Sequence, residues 1–318
     1  MNRISNLAIG IALGALTLVG CGGSGGASSG GTTPQAFPAA IYFLQSSGLD
    51  MASMTDMAGA NWTIFNNVGN LGSLTFDKQG RAMVTDPEND RIVRFADPAG
   101  LVPEPFGTEG NGVNQFNYPS DVAMDGQGRI YIADSYNKRI VRMNDMTGAG
   151  WTTLDVSAHM MDTDYLDITV DKQGRIYAAM FWYGEILRFD NMSDTTPEVY
   201  GEDGTGQGQF RKPADVQIGP DDKIYIADNS NHRIVRIDDM TGAGWVAYGV
   251  NGTGVGQFKN PRSISFDKQG RIYVLDKMNY RVVRMDNMAG GGWTSWGTNN
   301  TPEGGAGYGC NDLVVKGQ

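Results

Sequence analysis

The sequence predicts an all-β fold, a six-bladed β-propeller with four antiparallel strands per blade, and three observations predict it. A tight turn leading into an apolar strand recurs as DKQGRAM at 77, DGQGRIY at 125, DKQGRIY at 171, PDDKIY at 220 and DKQGRIY at 267. The residues that open the strand, at 82, 130, 176, 224 and 272, are spaced by 48, 46, 48 and 48, a regularity that marks a structural repeat. The 45 glycines and 10% aromatic content of the 318 residues suit many short strands and tight turns better than long helices.

Within each unit, three short runs alternate apolar and polar residues as half-buried strands do. In the second unit they are Asp121–Met124, Ile130–Ala133 and Arg139–Met143, followed by the turn NDMTGAG and a fourth run from Trp151. Four such strands make one propeller blade. The ends of the chain complete the count. Residues 41–62 match the second, third and fourth strands of a unit that lacks its first, and Asn311–Gln318 matches the missing strand, as comparison with Ser120–Gln127 shows. A sixth blade is expected to combine one C-terminal strand with three N-terminal ones, which removes exposed sheet edges.

The run from Phe116 to Val141, F-x-x-P-x-D-V-A-x-D-x-x-G-R-I-Y-I-A-D-x-x-N-x-R-I-V, resembles the NHL repeat. The resemblance extends over residues 39–318, and it implies a six-bladed propeller. It implies no single activity, because propellers serve as enzymes, scaffolds and receptors.

An Asp, Asn and Arg recur together at Asp86, Asn89 and Arg91, at Asp134, Asn137 and Arg139, at Asp228, Asn231 and Arg233, and at Asp276, Asn279 and Arg281. Such a turn can satisfy its own amides and pair its charges locally, so these residues read as scaffold, and His232 as a polar loop residue within one such turn. The informative positions are those where the repeat breaks. In the third blade the three positions hold Met180, Tyr183 and Glu185, and in the sixth, across the ring, Gln45, Gly48 and Asp50. The linker into the third blade reads AHMMDTDY where blades two, four and five have a glycine-rich run ending in Gln-Phe. His159, Met160, Met161, Phe181, Trp182 and Tyr183 therefore gather in one irregular blade. Because neighbouring strands are antiparallel, the linkers and the Asp-Asn turns lie at the same end of the ring. These six residues are the candidate ligand-binding set, with a repacked blade interior as the alternative.

A second constellation points inward. One position of the first strand is filled by Ser73, Asp121, Asp167, Asp215 and Ser263, with Asp312 as its C-terminal counterpart. The four acids are candidate metal ligands, and an all-oxygen set would favour calcium over zinc. The alternative is a structural ring in which each acid accepts hydrogen bonds from a neighbouring blade's amides while channel water screens the charge. The chain has only two histidines, His159 and His232, and neither falls on a first strand. Outside the Gly/Ser-rich run before residue 39 no G-x-S-x-G elbow is found, nor any Walker-type loop or Cys/His cluster, and runs such as GTGQGQF at 204 lead into strands, where a phosphate loop needs a helix N-terminus.

The N-terminus carries Arg3, then an apolar run from Leu7 to Val19, then Gly20 and Cys21. That run is short for a membrane span and has the layout of a secretory signal. Leu18–Cys21 resembles the lipobox of bacterial lipoproteins, which implies lipidation at Cys21. Residues 1–20 are thus expected to be a signal peptide, 21–38 a flexible Gly/Ser-rich tether and 39–318 the propeller. The only other cysteine, Cys310, would be left without a disulfide partner.

With 25 Lys+Arg against 35 Asp+Glu, a formal charge of -10 and a pI near 4.7, nucleic acid is a poor partner. The expectation is a monomeric lipoprotein of the bacterial cell envelope, at the outer membrane or cell surface. It would touch the membrane through its lipid anchor alone and bind an envelope protein or glycan. The alternative is a metal-assisted lyase or hydrolase with an acidic site in the channel.

Overall fold

The computed structural model describes residues 40–45, 50–58, 63–65, 71–96, 103–161, 165–297 and 310–316. Six four-stranded antiparallel sheets form the six blades, numbered 1 to 6 in the order in which their second strands occur after residue 71, with the terminal blade as blade 6. Their first strands, which ring the axis, are Leu74–Phe76, Pro119–Met124, Leu166–Val170, Pro213–Ile218, Pro261–Phe266 and Cys310–Lys316. Blade 6 is closed as the sequence predicts. Cys310–Lys316 pairs with Ala40–Gln45 in a register that sets Ile41 opposite Val315 and Phe43 opposite Leu313, and Asp50–Met54 and Thr63–Phe65 complete the sheet.

The second strands depart from the alternation expected of half-buried strands. Ile130–Asp134, Ile176–Met180, Ile224–Asp228 and Ile272–Asp276 are buried at every residue. The blades stack face to face, so both faces of an inner strand are covered by neighbouring blades, and only the outermost strand keeps one face in water. Six apolar clusters fill the six interfaces, one between each pair of adjacent blades, including that between the terminal blade and blade 1. Phe116, Phe210 and Phe258, the last residues of the glycine-rich linkers, are wholly buried in these clusters. Full burial of such a ring stabilises the fold by roughly 1.5–3 kcal/mol. The linkers themselves fold back as short parallel ribbons, Thr108–Glu109 on Gln115–Phe116 and Val250–Asn251 on Gln257–Phe258.

The Asp-Asn-Arg turns lock those linkers. Arg233 donates from Nε to Asp228 at 2.7 Å and from its outer nitrogens to the carbonyls of Thr205, Gly206 and Gln209, while its guanidinium covers Trp245 at 5.5 Å. Asn231 joins Asp228 to the Gly204 carbonyl, and the Arg211 amide donates to the same carboxylate. Blades 2 and 5 repeat the arrangement at Arg139 and Arg281. These are the scaffold roles expected of the repeat. His232 is part of the same framework, since its Nδ1 accepts the amide hydrogen of Asn260.

Candidate binding face

The linker end of the ring carries a continuous arc of aromatic side chains. It runs from blade 2 to blade 3 as Tyr136, Tyr118, Tyr165, Phe181 and Trp182, with ring centroids 4.6, 5.8, 6.5 and 5.2 Å apart in that order. The first pair is stacked and the others meet edge to face, the geometries aromatic quadrupoles favour. Lys212, in the linker of blade 4, ends the arc with its ammonium 4.1 Å from the Trp182 ring centroid. Tyr136, Tyr165 and Trp182 expose 40%, 39% and 43% of their surface. Large apolar groups left together in water mark an interaction surface.

Local backbone geometry places these residues. Tyr118 and Lys212 precede the proline that opens a first strand, and both adopt a left-handed conformation, with φ of 55° and 54°. The conformation is costly for a tyrosine, and it turns the chain so that the ring stands on the surface. At Tyr118 it is held by an amide hydrogen bond to Asp90 of blade 1. Phe181 and Trp182 sit in the turn between the second and third strands of blade 3, which closes on Gly184 at φ +70°. A Cβ on Gly184 would stand 2.6 Å from the Phe210 carbonyl, so only glycine lets this turn approach the next linker.

The six residues expected to bind ligand divide into two groups. Phe181, Trp182 and Met161 reach the surface. Met160 is 4% exposed and belongs to the cluster between blades 2 and 3, and Tyr183 packs against that cluster, so both serve the repacked blade interior. His159 Nδ1 lies 3.9 Å from a carboxylate oxygen of Glu185, tying the irregular linker to the irregular turn. Tyr118, Tyr136, Tyr165 and Lys212 were not part of the expected set. The opposite irregular turn of blade 6 and the lipidation candidate Cys21 lie outside the described residues.

Below the arc the ring position forms a hydrogen-bonded belt. Asp121 accepts the amide of Ile168 in blade 3 at 2.7 Å, Asp167 that of Val216 in blade 4 at 3.0 Å, Asp215 that of Ile264 in blade 5, and Asp312 that of Leu74 in blade 1 at 2.8 Å. The serines complete the circle: Ser73 Oγ donates to Asp121, and Ser263 Oγ donates to Asp312 while accepting the Leu313 amide. Each acid thus links its blade to the next. Asp121 and Asp215 are buried, whereas Asp167 and Asp312 are half-buried, so channel water reaches only part of the belt. Burial pushes the Asp121 carboxyl up to about 6 and Asp215 up to about 7, with neighbouring acids adding to the rise. Asp167 is raised well above the usual range, first by burial and then by the Asp215 charge, and Asp312 is also raised by burial.

Among the described residues no group of three or more acids, histidines or cysteines is arranged to hold a metal. Each of the four carboxylates accepts at least one hydrogen bond from a neighbouring blade.

Residues 116–143 and 210–237 match the NHL repeat family, in blades 2 and 4. No curated protein matches the chain in sequence. Among solved structures the fold is similar to a chain of a nidogen/laminin complex, with TM-score 0.67 and 16% identity over 87% of this chain and 98% of that one. It is similar to virginiamycin B lyase from Staphylococcus aureus, with TM-score 0.57 and 14% identity over 82% of each chain. It is also similar to an auxiliary nutrient binding protein from Bacteroides thetaiotaomicron, with TM-score 0.57 and 15% identity over 77% of this chain and 68% of that one. At such identities the likeness establishes the six-bladed fold alone.

Proposed function

We propose that the protein is a binding propeller, held at the bacterial cell envelope by a lipid on Cys21, that takes a protein or glycan ligand on its linker face. The observation that carries the reading is the aromatic arc from Tyr136 to Trp182, half exposed and ended by the Lys212 cation. Rigid amphipathic rings supply contact area at small entropic cost, which is why they concentrate where ligands bind. The solved neighbours support a binding use of the fold, since they include a nutrient binding protein and a propeller from a nidogen/laminin complex. The lipid anchor is supported by the sequence of Leu18–Cys21. Among the described residues no helix is long and apolar enough to cross a membrane.

The metal-assisted enzyme alternative draws support from the similarity to virginiamycin B lyase, while the hydrogen bonds already made by Asp121, Asp215 and Asp312 favour the binding reading. The binding reading is tested by screening the purified full chain against arrayed glycans and purified envelope proteins, beside Tyr165→Ala with Trp182→Ala. A control pair, Lys172→Ala with Asp222→Ala, removes an exposed ion pair at the opposite end. Binding is expected to fall in the aromatic variant and persist in the control. Equal binding by all three folded proteins would remove this face from consideration.

A further inference from the structure

Inside the arc the face sinks into a vestibule of about 710 Å³, counting space open to solvent, above the acid belt. Its two sides differ in chemistry. Tyr118, Tyr165 and Phe181 bring rings from blades 2 and 3, whereas Arg262 and Lys277 bring two cations from blade 5, with Asn311 beside them. Among the described residues no acid lines the vestibule itself, while Asp121, Asp167 and Asp312 line the cavity directly beneath it.

The cations come from repeat positions that point at the channel mouth and vary from blade to blade. The residue before the belt position is Gly72, Ser120, Leu166, Ala214, Arg262 and Asn311 in turn, so a cation occurs there once. Arg262 is half-buried, and among the described residues its guanidinium has no hydrogen bond or ion pair. The turn arginines, by contrast, are fully engaged. The Arg262 charge acts on Asp312, which already accepts from Ser263, Leu313 and Leu74. Lys277 donates to the Asn311 side chain at 3.3 Å, which holds its ammonium on the same wall. A guanidinium offers two parallel donors matched to a carboxylate. The hydroxyls of Tyr118 and Tyr165 are 3.4 Å apart, a long contact that leaves both able to serve a bound hydroxyl group.

We infer that the vestibule is a subsite for a saccharide bearing a carboxylate, with the carboxylate on Arg262 and Lys277 and the sugar ring against Tyr165 and Phe181. The inference rests on the linker face being the binding face and adds the class of ligand.

Calorimetric titration of the full chain with D-glucuronate and with D-glucose tests it, at low and high salt, on the parent protein and on Arg262→Gln and Lys277→Gln. Glucuronate is expected to bind at least about tenfold more tightly than glucose, as one charge-assisted contact allows. Arg262→Gln should bring the two sugars to parity, Lys277→Gln should narrow the gap, and salt should narrow it in the parent. Lys277→Gln leaves the Arg262–Asp312 attraction in place, so it reports even if Arg262→Gln melts early. Equal affinities in the parent, no binding of either sugar, or a preference that survives both substitutions would overturn the inference. If Tyr165→Ala and Trp182→Ala still abolish array binding in that case, the face stands and only the ligand class falls.

Discussion

Lys212 of the blade 4 linker holds its ammonium 4.1 Å from the Trp182 ring of the blade 3 turn, joining two blades across the linker face through a cation and an aromatic face. Trp182 is 43% exposed, so the contact lies where water can compete for it. A double-mutant cycle on Trp182→Ala and Lys212→Ala should give a coupling of about 0.5–1 kcal/mol in denaturant melts. The single variants should lose stability within that range yet lose most ligand binding. A coupling indistinguishable from zero, with binding intact, would mean that the pair neither orders the face nor contacts ligand.

The acid belt predicts an inverted pH response. A carboxyl ordinarily titrates near 4 in the unfolded chain, whereas Asp121 is raised to about 6 and Asp215 to about 7 in the fold. The folded state therefore holds protons that the unfolded state releases. The resulting stability is fully present below pH 4 and is lost as pH rises through 6 and 7. Other acids, such as Asp125, are lowered and pull the other way at acid pH. The melting temperature should accordingly be higher at pH 5 than at pH 8. Asp167→Asn should raise it at pH 8 and flatten the slope, and calcium or chelator should leave it unchanged. A rise from pH 5 to pH 8, or a shift with calcium, would show that the belt is charged or metal-bound.

Asp228 is wholly buried and collects Arg233, Asn231 and the Arg211 amide. Removing it leaves a largely buried guanidinium without its counter-ion. Asp228→Ala should cost about 3–5 kcal/mol by denaturant unfolding, far more than any change on the aromatic arc. A loss under about 1 kcal/mol would contradict the scaffold role.

The lipid anchor predicts that Cys21→Ser abolishes palmitate labelling in a bacterial host and releases the chain from the membrane fraction. Labelling that persists in the variant would refute lipidation at this position.

Blade number, strand order and closure were legible because a repeat of 46 to 48 residues leaves few foldings, and because Asn311–Gln318 visibly supplies the strand that the N-terminus lacks. The belt was legible as a position, since first strands must face the axis. Its burial was not, because stacking on neighbouring blades cannot be read from alternation within one strand. The binding face was legible in part. Phe181 and Trp182 stood out as breaks in the repeat, whereas Tyr118 and Tyr136 sit inside regular blade 2 text and join the arc only because blade 2 abuts blade 3. Met160 and Tyr183 looked like members of the same group, but the loss of the Asp-Asn-Arg turn in blade 3 drew them inward to fill its place. The overlooked signal is the residue before the first-strand proline. It is Tyr118, Lys212 and Asn260 in blades 2, 4 and 5, always left-handed and never the same.

Hydrogen–deuterium exchange on the full chain, with and without its strongest array ligand, tests the central claim most directly. Ligand should slow exchange in peptides spanning residues 116–120, 180–185 and 210–213 and leave the turns at 125–129, 171–175 and 267–271 unchanged. Protection confined to those turns, at the opposite end of the ring, would contradict the assignment of the binding face.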